Sequence, residues 1–239
     1  MCIRDRFHYR KYEIGEGRYD GQVGFNTPTG RIELYNTNMM LWGYDALPEF
    51  KEPSCSPYES PELYEKYPFV LTTGARSFEF FHSEHRQLPW CRELWPVPRM
   101  EINPETAAEL GLEQGDWAWI ESPWGKVRQT VDLYYGIAPG TINCEHQWWY
   151  PELAQADKGF KLSCINCIVD RTAQDKYNGS STVRGYPVKV YKATPENSPF
   201  GNPVPCGNDG TEIIHDSSDP RLKLWAIGAE GIHPDKFDA

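Results

Sequence analysis

The sequence predicts a mainly β protein, a barrel of short strands carrying short helices. Two observations lead there. Most of its apolar runs are only a few residues long, are rich in Val, Ile, Leu and aromatic residues, and end in Gly, Pro, Asn or Asp. Among its better-defined stretches, only one has both the start and the stop signals of a helix. Many short strands, little helix and frequent turns make a barrel the economical way to close a sheet.

In chain order, Met1–Arg6 (Met-Cys-Ile-Arg-Asp-Arg) resembles read-through from an adapter and is set aside as a non-native leader, residues 1–6. Residues 7–68 read as a connector from an upstream domain. Within them Phe25–Tyr35 is expected to be a turn followed by a short alternating strand, and Pro61–Lys66 a short helix. Phe69-Val-Leu-Thr is a buried strand that stops at Gly74, and Arg99–Ile102 is the next strand. Asn103-Pro104 then supplies an N-cap and a first-turn proline for a helix closed by Gly111. Trp117–Ile120 and Lys126–Tyr134 are strands joined by a hairpin turn at Ser122–Gly125. Thr141–Cys144 and Val188–Tyr191 complete the strands. The barrel domain is thus expected over residues 69–192, and residues 193–239, rich in Pro, Gly and Asp, form a C-terminal extension.

Composition narrows the function classes. At 239 residues with a net charge of −10, the chain offers no general polyanion-binding face, so nucleic acid is not an expected partner. No run approaches the roughly 18 apolar residues of a membrane span. Seven cysteines, an odd number at irregular spacings, argue against a full disulfide framework and for a reducing compartment. With the N-terminal signal region expected to be missing, cytoplasm and periplasm both stay open. The Cys164-x-x-Cys167 pair is single and lacks a βαβ context, so ordinary packing is expected of it rather than a metal. There is no Gly-x-Ser-x-Gly and no HExxH, which disfavours an isolated hydrolase.

Chemistry concentrates between Phe69 and Arg86. After the Gly74 turn the chain carries Arg76, His82, His85 and Arg86 with the hydroxyls of Thr73, Ser77 and Ser83. A glycine turn lets backbone N–H groups approach a ligand, and guanidinium and imidazole groups add charge-assisted donors for phosphate. Arg76 could equally form a surface ion pair, and His82 could be a satisfied, half-buried histidine. Farther on, Cys144-Glu-His-Gln-Trp-Trp-Tyr-Pro151 follows a strand, with His146 a candidate for proton relay or for aromatic packing.

The succession Leu-Thr-Thr-Gly-Ala-Arg…His-Ser-Glu-His-Arg, then Ile102-Asn-Pro-Glu-Thr-Ala-Ala-Glu-Leu-Gly-Leu-Glu-Gln-Gly-Asp-Trp-Ala-Trp-Ile-Glu-Ser-Pro-Trp-Gly125, then Gly136-Ile-Ala-Pro-Gly-Thr-Ile142, resembles the C-terminal molybdopterin-dinucleotide-binding domain of the dimethyl sulfoxide reductase family. Upstream, Asn26-Thr-Pro-Thr-Gly-Arg-Ile-Glu-Leu-Tyr35 is similar to the stretch leading into that domain, so the resemblance covers about residues 20–192. It implies a six-stranded double-psi β-barrel. It also implies a bis-molybdopterin guanine dinucleotide cofactor on molybdenum or tungsten, part of it held by this domain. The positions matching the family's cofactor loop are Thr73, Gly74, Arg76, Ser77, His82, Ser83 and Glu84. Asn166, in Leu162-Ser-Cys-Ile-Asn166, and Arg184 match two further cofactor contacts, on flanking sequence that drifts from the family pattern.

Departures from the family are as informative. No residue here matches the family's metal-ligating Ser, Cys, selenocysteine or Asp, and the four-cysteine iron–sulfur motif is absent, so such a cluster belongs to an upstream part. The expectation is therefore a C-terminal fragment of an oxidoreductase catalytic subunit, inactive alone. Its partners would be the rest of that subunit, with room for an iron–sulfur electron-transfer subunit. The alternative is a non-catalytic barrel module that binds a nucleotide or a protein. The Trp-rich, Cys-containing style is similar to the acetylene hydratase and catechol dehydroxylase branch.

Overall fold

The structure is a computed structural model that describes residues 10–74, 77–153, 156–177, 179–181, 184–199 and 201–203. The leader expected at residues 1–6, Arg76, and the extension beyond residue 203 lie outside the described residues. The chain forms two compact units, Met1–Lys51 and Glu52–Ala239.

The first unit contains one short helix, α1 (Thr37–Leu41), whose N-cap Asn36 accepts a hydrogen bond from the Met39 amide. The strand expected before it is absent. The turn forms, with the Phe25 amide bonded to the Gly30 carbonyl, but Arg31–Tyr35 pairs with no other strand. Ile32 and Leu34 are 69% and 82% exposed. Alternation makes a strand only where an edge is available to pair with, and this segment has none among the described residues.

The second unit holds the barrel. After α2 (Pro61–Lys66) come β1 (Phe69–Thr72), α3 (Pro89–Leu94), β2 (Arg99–Ile102), α4 (Pro104–Glu109), β3 (Trp117–Ser122) and β4 (Gly125–Leu133). They are followed by β5 (Thr141–Cys144), α5 (Phe160–Ser163), a 3₁₀ turn at Ile165–Cys167 and β6 (Tyr186–Lys192). The strands close in the order β1-β5-β2-β4-β3-β6. Pairs β1/β5 and β2/β4 are parallel and the other four antiparallel. Advancing every strand number by three maps this set of pairings onto itself. The barrel therefore consists of two interlocked three-strand halves, a double-psi barrel. Leu71, Met100, Ile102, Ala118, Ile120, Val127, Val131, Ile142, Val188 and Val190 fill its interior. Each fully buried aliphatic side chain of this size stabilises by about 1.5–3 kcal/mol.

Two local features set the ends of this frame. Asn103 caps α4 by accepting from the Glu105 amide, and its Nδ2 donates to the Ile137 carbonyl, joining helix start to the turn before β5. After β6 the chain turns back on the barrel. Trp119 Nε1 donates to Asn197 Oδ1 and Ser198 Oγ, and Arg128 Nη1 bonds the Gly201 carbonyl and Asn202 Oδ1. The first residues of the extension thus lie against β3 and β4.

Candidate cofactor cleft at the barrel mouth

The topology brings four distant stretches to one end of the barrel. Because β1 and β5 are parallel, Thr73-Gly74 and Glu145–Gln147 leave the sheet at the same mouth. β6 runs antiparallel to β1, with Leu71 opposite Tyr186, so Arg184 enters at that mouth, fixed by the Gly185 amide on the Leu71 carbonyl. The tip of the β3–β4 hairpin reaches it too, where Ser122 Oγ donates to the Ile168 carbonyl at 2.6 Å.

The cleft has a volume of about 690 Å³, within the size range of small-molecule and cofactor sites. Thr73, Gly74, His82, Asn166 and Arg184, five of the nine positions singled out from the sequence, line it together. His146, Gln147, Asp170 and Arg171 complete much of the wall. His82 and His146 meet edge to face, with ring centroids 6.0 Å apart. His82 and Gln147 both adopt left-handed backbone, φ 52° and 51°, as do His85 and Lys158 away from the cleft.

Three polar devices hold the walls. The Gly74 amide donates to Asn143 Oδ1, whose Nδ2 donates to Glu101 Oε2 at 2.7 Å, so the turn is anchored across β5 to β2. A Cβ at residue 74 would stand 3.0 Å from Asn143 Oδ1 and crowd this anchor. From β4, the buried Gln129 amide donates to the carbonyls of Glu145 and Ser163 and accepts from the Glu145 amide. It thereby ties the loop after β5 to α5. Arg86, fully buried, bonds Glu145 Oε1 at 3.3 Å and carbonyls on both sides of the cleft.

Arg86 is therefore not the phosphate donor that its position in the sequence suggested. Its guanidinium lies behind the cleft, packed against the rings of Phe80 and Trp148. Ser77 Oγ faces Glu145 Oε1 at 3.5 Å. Ser83 and Glu84 do not line the cleft. The Ser83 carbonyl accepts from Trp149 Nε1, and the Glu84 carbonyl from Arg86. Arg171, Gln147 and Asp170 line the cleft but were not singled out from the sequence. The signals were faint: Asp170 and Arg171 lie just past the Asn166 loop, and Gln147 sits in the aromatic run after β5.

The donor set suits an anionic heteroaromatic ligand. Arg171 and Arg184 are exposed cations at the rim, fit for phosphate oxygens. Gln147 Oε1 is buried with no hydrogen-bond partner among the described residues, an acceptor available for a ring N–H or amino group. The Thr172 hydroxyl and amide hold the Asp170 carboxyl below its ordinary range, so it stays an anionic acceptor. Beside the cleft, burial raises the Cys164 and Cys167 thiols. Among the described residues no group of three His, Cys, Asp or Glu side chains is placed to hold a metal ion.

Comparison with known proteins finds relatives of the barrel. Residues 69–186 match the family described as the molydopterin dinucleotide binding domain. The chain is 53% identical over 236 residues to a dopamine dehydroxylase of Eggerthella lenta, covering 97% of this chain and 23% of that protein. It is 37% identical over 130 residues to an acetylene hydratase of Syntrophotalea acetylenica, covering 54% of this chain and 18% of that one. Among solved structures, acetylene hydratase from Pelobacter acetylenicus superposes with a TM-score of 0.68 at 30% identity, over 74% of this chain and 25% of its own. The chain thus spans about a quarter or less of these relatives' length. Its residues 69–186 belong to the molybdopterin-dinucleotide-binding domains of the dimethyl sulfoxide reductase family.

Proposed function

We propose that the chain is part of a longer catalytic subunit of a molybdenum or tungsten oxidoreductase. In this reading the barrel-mouth cleft holds the guanine-nucleotide and pterin part of a bis-molybdopterin guanine dinucleotide. The supporting observation is the convergence of Thr73, Gly74, His82, Asn166 and Arg184 on one cleft with Arg171 and the unpartnered Gln147 Oε1. Arg171 and Arg184 would neutralise the pyrophosphate, the Gly74 turn would let it approach the backbone, and Asn166, Gln147 and Asp170 would read a purine or pterin edge. When bound, such a cofactor supplies the redox or hydration chemistry at its metal–dithiolene centre. The residues of this chain bind and orient it. Dehydroxylation and hydration, the activities in the relatives' names, are the first reactions to assay in the complete subunit.

Arg184→Ala in the complete subunit tests the site. A guanidinium on phosphate makes charge-assisted hydrogen bonds of roughly 1.5–3 kcal/mol, so affinity should fall about ten- to a hundredfold. An exposed ion pair contributes under about 1 kcal/mol and would leave cofactor content untouched. Guanine nucleotide released by acid per subunit should drop while thermal melting stays put. Unchanged nucleotide at sub-saturating cofactor supply removes Arg184 from the site.

A further inference from the structure

We infer that Arg86 is a positioning residue for the cleft: a single buried guanidinium that ties the wall carrying His82 to the wall carrying His146 and Gln147. This role rests on the cleft being the cofactor site. Arg86 Nη1 donates to the carbonyls of His82 at 2.9 Å and Glu84 at 3.3 Å. Nη2 donates to the carbonyl of His146 at 3.1 Å and to Glu145 Oε1 at 3.3 Å. One terminal nitrogen serves each wall, across a sequence separation of about sixty residues. Nε makes no hydrogen bond among the described residues, and the rings of Phe80 and Trp148 confine the guanidinium.

Only a planar, two-pronged cation satisfies this arrangement. Lysine presents one point charge and cannot hold both carbonyl sets at once. Two of the bonds end on the backbone of left-handed His82 and of His146, the neighbour of left-handed Gln147, so they help to hold those conformations. Losing them leaves each wall free to relax independently and moves the ligand-facing side chains relative to one another.

Arg92 provides an internal control. It is equally buried, with Nη1 and Nη2 bonded to Glu152 Oε2 and Oε1 at 3.1 and 3.0 Å. Its remaining bonds go to the carbonyls of Pro96 and Arg86, and none of these partners lines the cleft. A purely structural account of Arg86 therefore predicts that Arg86→Lys and Arg92→Lys behave alike.

The experiment compares wild type, Arg86→Lys and Arg92→Lys in the complete subunit. Its readouts are melting temperature, acid-released guanine nucleotide and amide hydrogen exchange. Arg86→Lys should speed exchange in residues 82–85 and 145–147 together and weaken nucleotide retention about tenfold. Arg92→Lys, at a comparable loss of melting temperature, should leave both unchanged. Nucleotide loss that simply tracks melting temperature in both variants overturns the proposal, as does faster exchange on one wall only. If Arg86→Lys does not fold, native-state exchange of the wild type at increasing denaturant decides instead: residues 82–85 and 145–147 should open together with one common free energy, and separate opening of the two segments overturns the proposal. A wild-type subunit without releasable guanine nucleotide sinks the cofactor reading and with it Arg86's role in binding, while exchange still reports whether the walls are tied.

Discussion

Glu145 shows how much one residue's surroundings can decide. Burial pushes its carboxyl up to about 7 against the pull of Arg86 and Ser77, with Glu79 adding to the rise. Burial likewise lowers Arg86 to about 10, so both shifts report the same cost of holding charge behind the cleft. A buried ion pair of this kind fixes geometry more than it adds stability. The sign follows by linkage. Below about pH 4.5 the carboxyl is protonated in folded and unfolded chain alike, and no penalty applies. Between about 4.5 and 7 the unfolded form ionises while the folded form keeps its proton, so stability falls as pH rises, by about 3 kcal/mol at most. The local measure is exchange protection of residues 145–149, corrected for intrinsic rate, which should be higher at pH 5 than at pH 8. Glu145→Gln should flatten the difference. A flat wild-type profile would mean the carboxyl is not raised.

Among the elements, the β3–β4 hairpin acts on the site through its tip, which packs against the turn that presents Asn166. A Cβ on Gly125 would stand 2.7 Å from the Cys167 carbonyl, a backbone atom of the turn that presents Asn166. Gly125→Ala should therefore displace that turn, costing about 1–3 kcal/mol and lowering nucleotide retention. Asn103→Ala removes a helix cap on another element and should cost about 1–2 kcal/mol with retention intact. Equal nucleotide loss in both would contradict the specific link. The strands were legible because each is a compact apolar or alternating run ended by a turn residue, as Trp117–Ser122 and its hairpin show. α3 was not, because Pro-Trp-Cys-Arg-Glu-Leu is too short for a 3.6-residue stripe to declare itself. Ile32 and Leu34 misled because alternation cannot tell whether a partner edge exists. In the site, Thr73 and Gly74 could be read from a strand end. The pairs Arg86–Glu145 and Arg92–Glu152 could not, since partners about sixty residues apart leave no local pattern.

At the scale of the molecule, the surface carries more exposed apolar side chains than its solvent face requires. In the barrel unit Phe78, Phe81, Trp90 and Leu94, all on the segment between β1 and β2, are exposed. In the first unit Ile32, Leu34, Leu41, Trp42 and Phe50 are exposed as well. Single exposed apolar residues are ordinary, but so many within two short segments suit contact with another body better than contact with water. The chain corresponds to 23% of the dopamine dehydroxylase's length, and in the proposed longer subunit the remainder is expected to cover them. Burying even four such side chains stabilises by several kcal/mol at about 1.5–3 kcal/mol each, enough to decide between a soluble monomer and an associating one. Expressed alone, the chain should therefore bind a hydrophobic dye and elute from size exclusion as a concentration-dependent mixture, whereas the complete subunit should do neither. Charge substitutions at Phe78 and Trp90 should restore a monomer in the isolated chain and impair assembly of the complete subunit. A clean, dye-silent monomer of the unmodified chain would show that these side chains face water in the working protein too.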